Sequence, residues 1–255
     1  MADILALRRT PRRRHPGSAS AGVAELVRAT GLTGLVKPAS AAAGGPDGVG
    51  ERVLPVLPEL RALLPAGGLR RGSTVAVAST APAPFGATSV LLALLAAASA
   101  AGSWCAVVGM PALGLAAAAE LGVALERLAL VPEPGPDWPA VVAALLDGID
   151  VVAVAPPGPV STDLGSRLAA RARQRGSVLV PYGQWSGADI VLRTPGGGWR
   201  GLGEGWGRLA RRGLVISRRG RGAAAHPREV TLWLPLGIEP PPPLVEDAPV
   251  LEAAG

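Results

Sequence analysis

Short, unbroken apolar runs alternate with longer helical stretches through the middle of this chain. Gly72-Ser-Thr-Val-Ala-Val-Ala-Ser79 predicts a buried strand, and the stretch from Thr88 to Ala101 predicts the helix that follows it. The same pairing recurs, with strands predicted at 74–78, 104–108, 128–131, 151–155 and 177–180 and helices at 88–101, 113–121, 138–146 and 162–175. Strand followed by helix, repeated, implies a mainly parallel sheet covered on both faces, an α/β fold of three layers. After residue 188 the period changes. Asp189-Ile-Val-Leu-Arg193, Gly213-Leu-Val-Ile-Ser217 and Glu229-Val-Thr-Leu-Trp-Leu234 predict strands joined by Gly-rich and Arg-rich turns, hence an antiparallel edge.

The ends read differently. Residues 1–50 combine a basic start, a short amphipathic helix at 22–30 and a Gly/Ala-rich linker at 41–50. Residues 51–237 form the predicted core, with its Arg-rich edge at about 189–235. Residues 238–255 are acidic and proline-rich, so the chain is expected to have disordered termini.

A length of 255 residues, 49% of them hydrophobic, is enough for one sizeable core, while 35 glycines and 26 prolines fit loose ends. Between Gly72 and Ala119 no residue is charged, but Pro82, Pro84, Gly86, Gly102 and Pro111 cut the stretch into pieces too short to span a bilayer. No membrane partner is expected. The start is Arg-rich without an apolar core and cleavage site, so a cytoplasmic location is expected. Cys105 stands alone inside an apolar strand, and His15 and His226 are far apart, so neither a zinc cluster nor His-dependent nucleophilic catalysis is expected. The basic residues are one lysine, Lys37, and otherwise arginines, for a net charge of +6. An Arg and Ala excess is what a GC-rich genome yields, though the surplus also permits a polyanion partner.

The segment after the first strand carries the sharpest chemistry. Thr80-Ala-Pro-Ala-Pro-Phe-Gly-Ala-Thr88 sits where a phosphate-cradling loop would sit. Against G-x-x-x-x-G-K-[ST], the chain offers Ala81 for the first glycine, Gly86 for the second, Ala87 for the lysine and Thr88 for the hydroxyl. Lys37 lies well upstream, so no lysine reaches phosphate from this loop.

Leu64-Pro-Ala-Gly-Gly-Leu-Arg-Arg-Gly72, the strand at 74–78 and the helix at 88–101 resemble the opening of a RecA-type recombinase core. Gly102-Ser-Trp-Cys-Ala-Val-Val108, Leu121-Gly-Val-Ala-Leu-Glu-Arg-Leu128, Gly148-Ile-Asp-Val-Val-Ala-Val-Ala155 and Ser177-Val-Leu-Val-Pro-Tyr-Gly-Gln184 are similar, in that order, to the family's following segments. The resemblance covers roughly 55–195 and implies a RecA-like core in which Gln184 stands at the nucleotide-sensing position. It also exposes departures. Ala87 replaces the loop lysine, Ala155 the magnesium-binding aspartate, and Pro111 the catalytic glutamate, so three charged groups that phosphoryl transfer requires are missing. A RecA-like chain without these groups resembles the ImuA-prime proteins of actinobacteria. That resemblance implies a non-catalytic accessory of damage-induced mutagenesis, with an ImuB-like, Y-family-related protein and an error-prone DNA polymerase as partners and no cofactor. The alternative is an ATP-binding protein with a deviant loop, in which Arg70 or Arg71 replaces the lysine beside ATP and magnesium.

A basic strip follows the core. Arg193, Arg200, Arg208, Arg211, Arg212, Arg218, Arg219, Arg221 and Arg228 are interleaved with Trp199, Trp206 and Trp233, against one acid, Glu204. Guanidinium groups neutralise phosphates and indole faces stack on unpaired bases, so DNA contact is one reading. The same residues make protein-interface hot spots, and arginines also keep an edge strand soluble. Only Trp185-Ser-Gly187 separates Gln184 from the next strand, so the family's long DNA-gripping loop is absent. Arg167, Arg171 and Arg175, spaced i, i+4, i+8 with Arg173 beside them, predict a basic stripe that is either solvated or a docking face.

Overall fold

A computed structural model of the chain describes residues 52–79, 86–203 and 206–236, and the side chains of 201–210 are not among what it describes. The arm, helix and linker expected within 1–50, the loop position Ala81 and the acidic tail at 238–255 lie outside the described residues. So do the side chains of Trp206 and Arg208.

The predicted alternation is present. After a small antiparallel ribbon of β1 (Val53–Leu54) and β2 (Leu69–Arg70), the chain runs β3 (Val75–Ser79), α1 (Ala87–Ala100), β4 (Cys105–Val108), α2 (Leu115–Glu120), β5 (Leu128–Val131), α3 (Trp138–Leu145), β6 (Val151–Val154), α4 (Thr162–Arg175) and β7 (Val178–Pro181). It ends with β8 (Ile190–Gly203), β9 (Trp206–Gly220) and β10 (Arg228–Leu234).

Two ladders, β5-β4-β6-β7 and β3-β8-β9-β10, meet through β3 and β7. Thr74 bridges Leu179 and Val77 bridges Tyr182, both parallel, and Gly183 N–H donates to Val77 O at 2.8 Å. The result is one sheet in the order β5-β4-β6-β7-β3-β8-β9-β10, parallel up to β8 and antiparallel beyond it. β3 is central. β4, β6 and β7 are buried at every position, which is why they read as continuous apolar runs rather than alternating ones.

Alternate strand residues feed two cores. Val75, Val77, Val107, Ala153 and Val180 pack with α1, whose residues are nearly all buried, while Ala106, Val108, Val152, Val154 and Leu179 pack with α3 and α4. The α/β, three-layer expectation therefore holds. α4 is amphipathic, opened by Ser161 Oγ accepting from Leu164 N–H and closed by left-handed Gly176. Cys105 is buried on the α1 side. Its thiol is pushed up to about 12, first by burial and then by the negative charge of Asp150, so it is an inert core group.

The antiparallel edge expected after residue 188 is present, since β8 pairs β9 and β9 pairs β10 antiparallel, while β8 also pairs β3 in parallel. Two expectations need correction. The Gly-rich and Arg-rich segments between residues 193 and 213 are not turns. They extend β8 and β9 into one long hairpin, where ladder hydrogen bonds satisfy the backbone that glycine composition suggested would loop. The stripe on α4 is not free either: Arg171 and Arg175 both bind Asp147, in the turn after α3.

Asp150 pins the amino ends of the strands. Its Oδ1 accepts from Arg71 Nη1 at 2.8 Å and its Oδ2 from Trp104 N–H at 2.9 Å, both mostly shielded from water. Asp150→Ala leaves a largely buried guanidinium without its carboxylate. It is expected to lower unfolding free energy by about 2 kcal/mol in urea titration, since the remaining solvent access discounts the larger cost of a fully buried pair.

Candidate functional site

Ligands of open α/β sheets bind outside the carboxyl ends of the strands, where adjacent connections leave in opposite directions. Here β4 leads outward to β5, whereas its neighbour β6 leads the other way to β7. The described residues at that edge are Gly86 to Thr88, Gly109 to Pro111, the turn after β5, Ala155 to Pro157, and Tyr182 to Gln184.

Gly86 caps α1 with φ +75°, and a Cβ there would lie 2.5 Å from Leu214 Cδ2, so the helix start is pressed against β9. Ala87, at the lysine position, is buried in the α1 core. The Thr88 hydroxyl is 3.0 Å from the Tyr182 hydroxyl and shares a hydrogen bond with it. Gly109 has φ +78°, and a Cβ on it would sit 2.3 Å from the carbonyl oxygen of Ala155. The tips of β4 and β6 thus touch backbone to backbone. Pro111 and Gln184 are exposed, and Ala155 is half-buried.

Beside this contact lies a cavity of about 470 Å³ that sequence reasoning missed. It is lined by Gly109, Ala155, Glu133, Gly135 and five prolines, Pro132, Pro134, Pro136, Pro156 and Pro157. Each proline lacks the N–H that an anion cradle needs, and among the described residues Glu133 is the one charged side chain in the lining. The run Val131-Pro-Glu-Pro-Gly-Pro136 was the available signal.

Arg70 and Arg71 precede β3, at the amino end of the strand, whereas the start of α1 lies at the carboxyl end of the sheet. Arg71 is bound to Asp150 and the Gly176 carbonyl, and Arg70 lines a cavity at the amino end of β3.

The Arg-rich strip does not form one surface. Strand pairing places Trp199 beside Arg212 on one face of the hairpin, with Arg200, Arg211 and, through Gly213, Trp233 on the other. Arg212 lies over the Trp199 ring at 5.7 Å from its centroid, and Arg200 over the Trp233 ring at 5.5 Å. Arg193 and Arg219 share the face of Trp233, nearer β3. Arg221 lies past the end of β9, beside Asp189. Arg218 is a correction to the idea of a solvent-facing strip, because it is only 3% exposed and points inward. Alternation along a strand reverses the face at each residue, which counting arginines in sequence overlooks.

A family model described as the MT3502 N-terminal domain matches residues 62–187, the span from the end of the first 3₁₀ turn through β7. A Mycobacterium tuberculosis protein, the uncharacterized protein Rv3395c, is 41% identical over 145 residues, an alignment that covers 53% of this chain and 71% of the relative. The chain therefore belongs to the family of the MT3502 N-terminal domain.

Proposed function

We propose that the chain is a RecA-like accessory protein of damage-induced mutagenesis that acts by contact and not by catalysis. In this reading it joins an ImuB-like, Y-family-related protein to an error-prone polymerase in the cytoplasm, with DNA touched weakly if at all. Among the described residues no helix is long and apolar enough to cross a membrane.

The observation that carries the proposal is the state of the carboxyl edge. Where phosphoryl transfer needs a lysine, a metal-binding aspartate and a glutamate, the chain has Ala87, Ala155 and Pro111, and Ala155 meets Gly109, at the tip of β4, backbone to backbone. The ATP and magnesium of the alternative reading do not fit these residues. Thr88 is engaged with Tyr182, and Arg71 is held by Asp150 at the amino end of the strands. No step through a nucleotide is derived.

What remains is a binding surface. The hairpin of β8 and β9, with β10 beside it, presents two Arg–Trp pairs, one per face, and Trp199 is 53% exposed. Aromatic rings backed by guanidinium groups are the side chains that dominate protein interfaces. The test is co-elution of the full chain with the ImuB-like protein in gel filtration at about 50 and about 200 mM salt. A complex that persists at both concentrations supports the proposal. Failure to co-elute at either contradicts it, and binding to DNA alone with steep salt dependence favours a DNA-binding protein instead.

A further inference from the structure

A third cavity, of about 380 Å³, lies at the opposite end of β9 from the two Arg–Trp pairs. It is bounded by the 3₁₀ turn Pro58–Leu63 and the residues after it, by β9, and by the turn leading into β10. Four basic or titratable side chains line it: Arg61, Arg218, His226 and Arg228. Among the described residues no carboxylate does.

The inward rows of the two strands show why this is unusual. On β9 the row reads Leu214, Ile216, Arg218, and on β10 the partners are Leu232, Val230 and Arg228. Leu214, Ile216 and Leu232 belong to the α1 core. At the next step, where both rows enter the cavity, both aliphatic positions become arginine. The register sets Arg218 directly opposite Arg228, an arrangement of like charges that destabilises a strand pair.

Arg218 is 97% buried in consequence of its 3% exposure, and it forms no ion pair among the described residues. Its Nη1 donates to Leu63 O at 3.2 Å and its Nη2 to His226 O, while its Nε–H is buried with no acceptor. Burial, and then Arg228, push its pKa down, yet a guanidinium keeps its proton near neutral pH. A buried, uncompensated positive charge at the bottom of a cavity is unfavourable unless an anion completes it.

We propose that this cavity is an oxyanion site for a phosphate group, seated on Arg218 and closed by Arg61, Arg228 and His226. Three guanidinium groups around one small cavity suit the double charge and tetrahedral oxygens of phosphate better than a single carboxylate. The site is separate from the degenerate loop and does not depend on the role in mutagenesis.

The test is thermal unfolding and calorimetry of the full chain in inorganic phosphate, in pyrophosphate, and in sodium chloride at matched ionic strength. Phosphate or pyrophosphate is expected to raise the unfolding midpoint where chloride does not, and the tighter of the two distinguishes a monophosphate from a diphosphate ligand. The exposed rim variant Arg61→Ala/Arg228→Ala is expected to fold and to bind at least about tenfold more weakly. Arg218→Leu, which continues the aliphatic row, is expected to lose the phosphate response while unfolding no more easily in chloride. Equal midpoints in phosphate and chloride overturn the proposal, as does a phosphate response unchanged in the rim variant.

Discussion

The double variant Trp199→Ala/Trp233→Ala is expected to bind the ImuB-like partner at least about 100-fold more weakly than the parent chain, a loss of roughly 3 kcal/mol. Trp199 sits on β8 and Trp233 on β10, each ring covered on one side by an arginine of the hairpin. Gly213, opposite Trp233, leaves that ring room to lie across the strand, since a Cβ there would come within 3.0 Å of it. The guanidinium groups hold the indoles in place before binding, so little side-chain entropy remains to be lost on docking. The two pairs occupy opposite faces, so the single variants separate the contributions of each face. The unfolding midpoint of the double variant is expected to stay within a few degrees of the parent, because Trp199 is exposed and Trp233 lies at the far end of β10. Fluorescence anisotropy of a labelled partner measures the affinities. A loss under about threefold removes the hairpin from the interface.

Gly109→Ala is expected to destabilise the fold by about 3–4 kcal/mol in urea titration, the largest stability effect of any single methyl addition near the carboxyl edge. Two terms combine. The residue has φ +78°, where a side chain costs roughly 1–2 kcal/mol. The added carbon would also lie 2.3 Å from the Ala155 carbonyl oxygen, which belongs to backbone and cannot rotate away. Relief requires β4 and β6 to part at their tips, although Gly109 N–H is bonded to Val131 O and Ala155 N–H to Val108 O, both at 2.9 Å. Overpacking of this kind adds about 2 kcal/mol. A change below about 1 kcal/mol shows that the strand tips are not in contact.

The layers of this fold were legible because parallel strands buried on both faces must be apolar throughout. Val151–Val154 and Cys105–Val108 advertise themselves between glycine and proline punctuation. Sheet order was not legible. Nothing local tells β3 to pair with β7 on one side and β8 on the other, since the bridging bonds join residues about a hundred positions apart. The hairpin was misread as turns because glycine and arginine are poor strand formers taken singly, and ladder pairing overrides that preference. At the candidate site, the absent charges could be read directly from Ala87, Pro111 and Ala155, whereas the Thr88–Tyr182 bond and the capture of Arg71 by Asp150 are long-range contacts. The inward turn of Arg218 is a consequence of register, and register appears only when β9 and β10 are paired.

The proposed role needs no nucleotide. Isothermal titration of the full chain with ATP and magnesium, followed by a non-hydrolysable analogue, tests it most directly. No binding heat is expected beyond that of phosphate itself at the Arg218 cavity, and in particular no difference between the parent and Thr88→Val. Micromolar binding that is lost in Thr88→Val would contradict it, and would place a working nucleotide site at the start of α1.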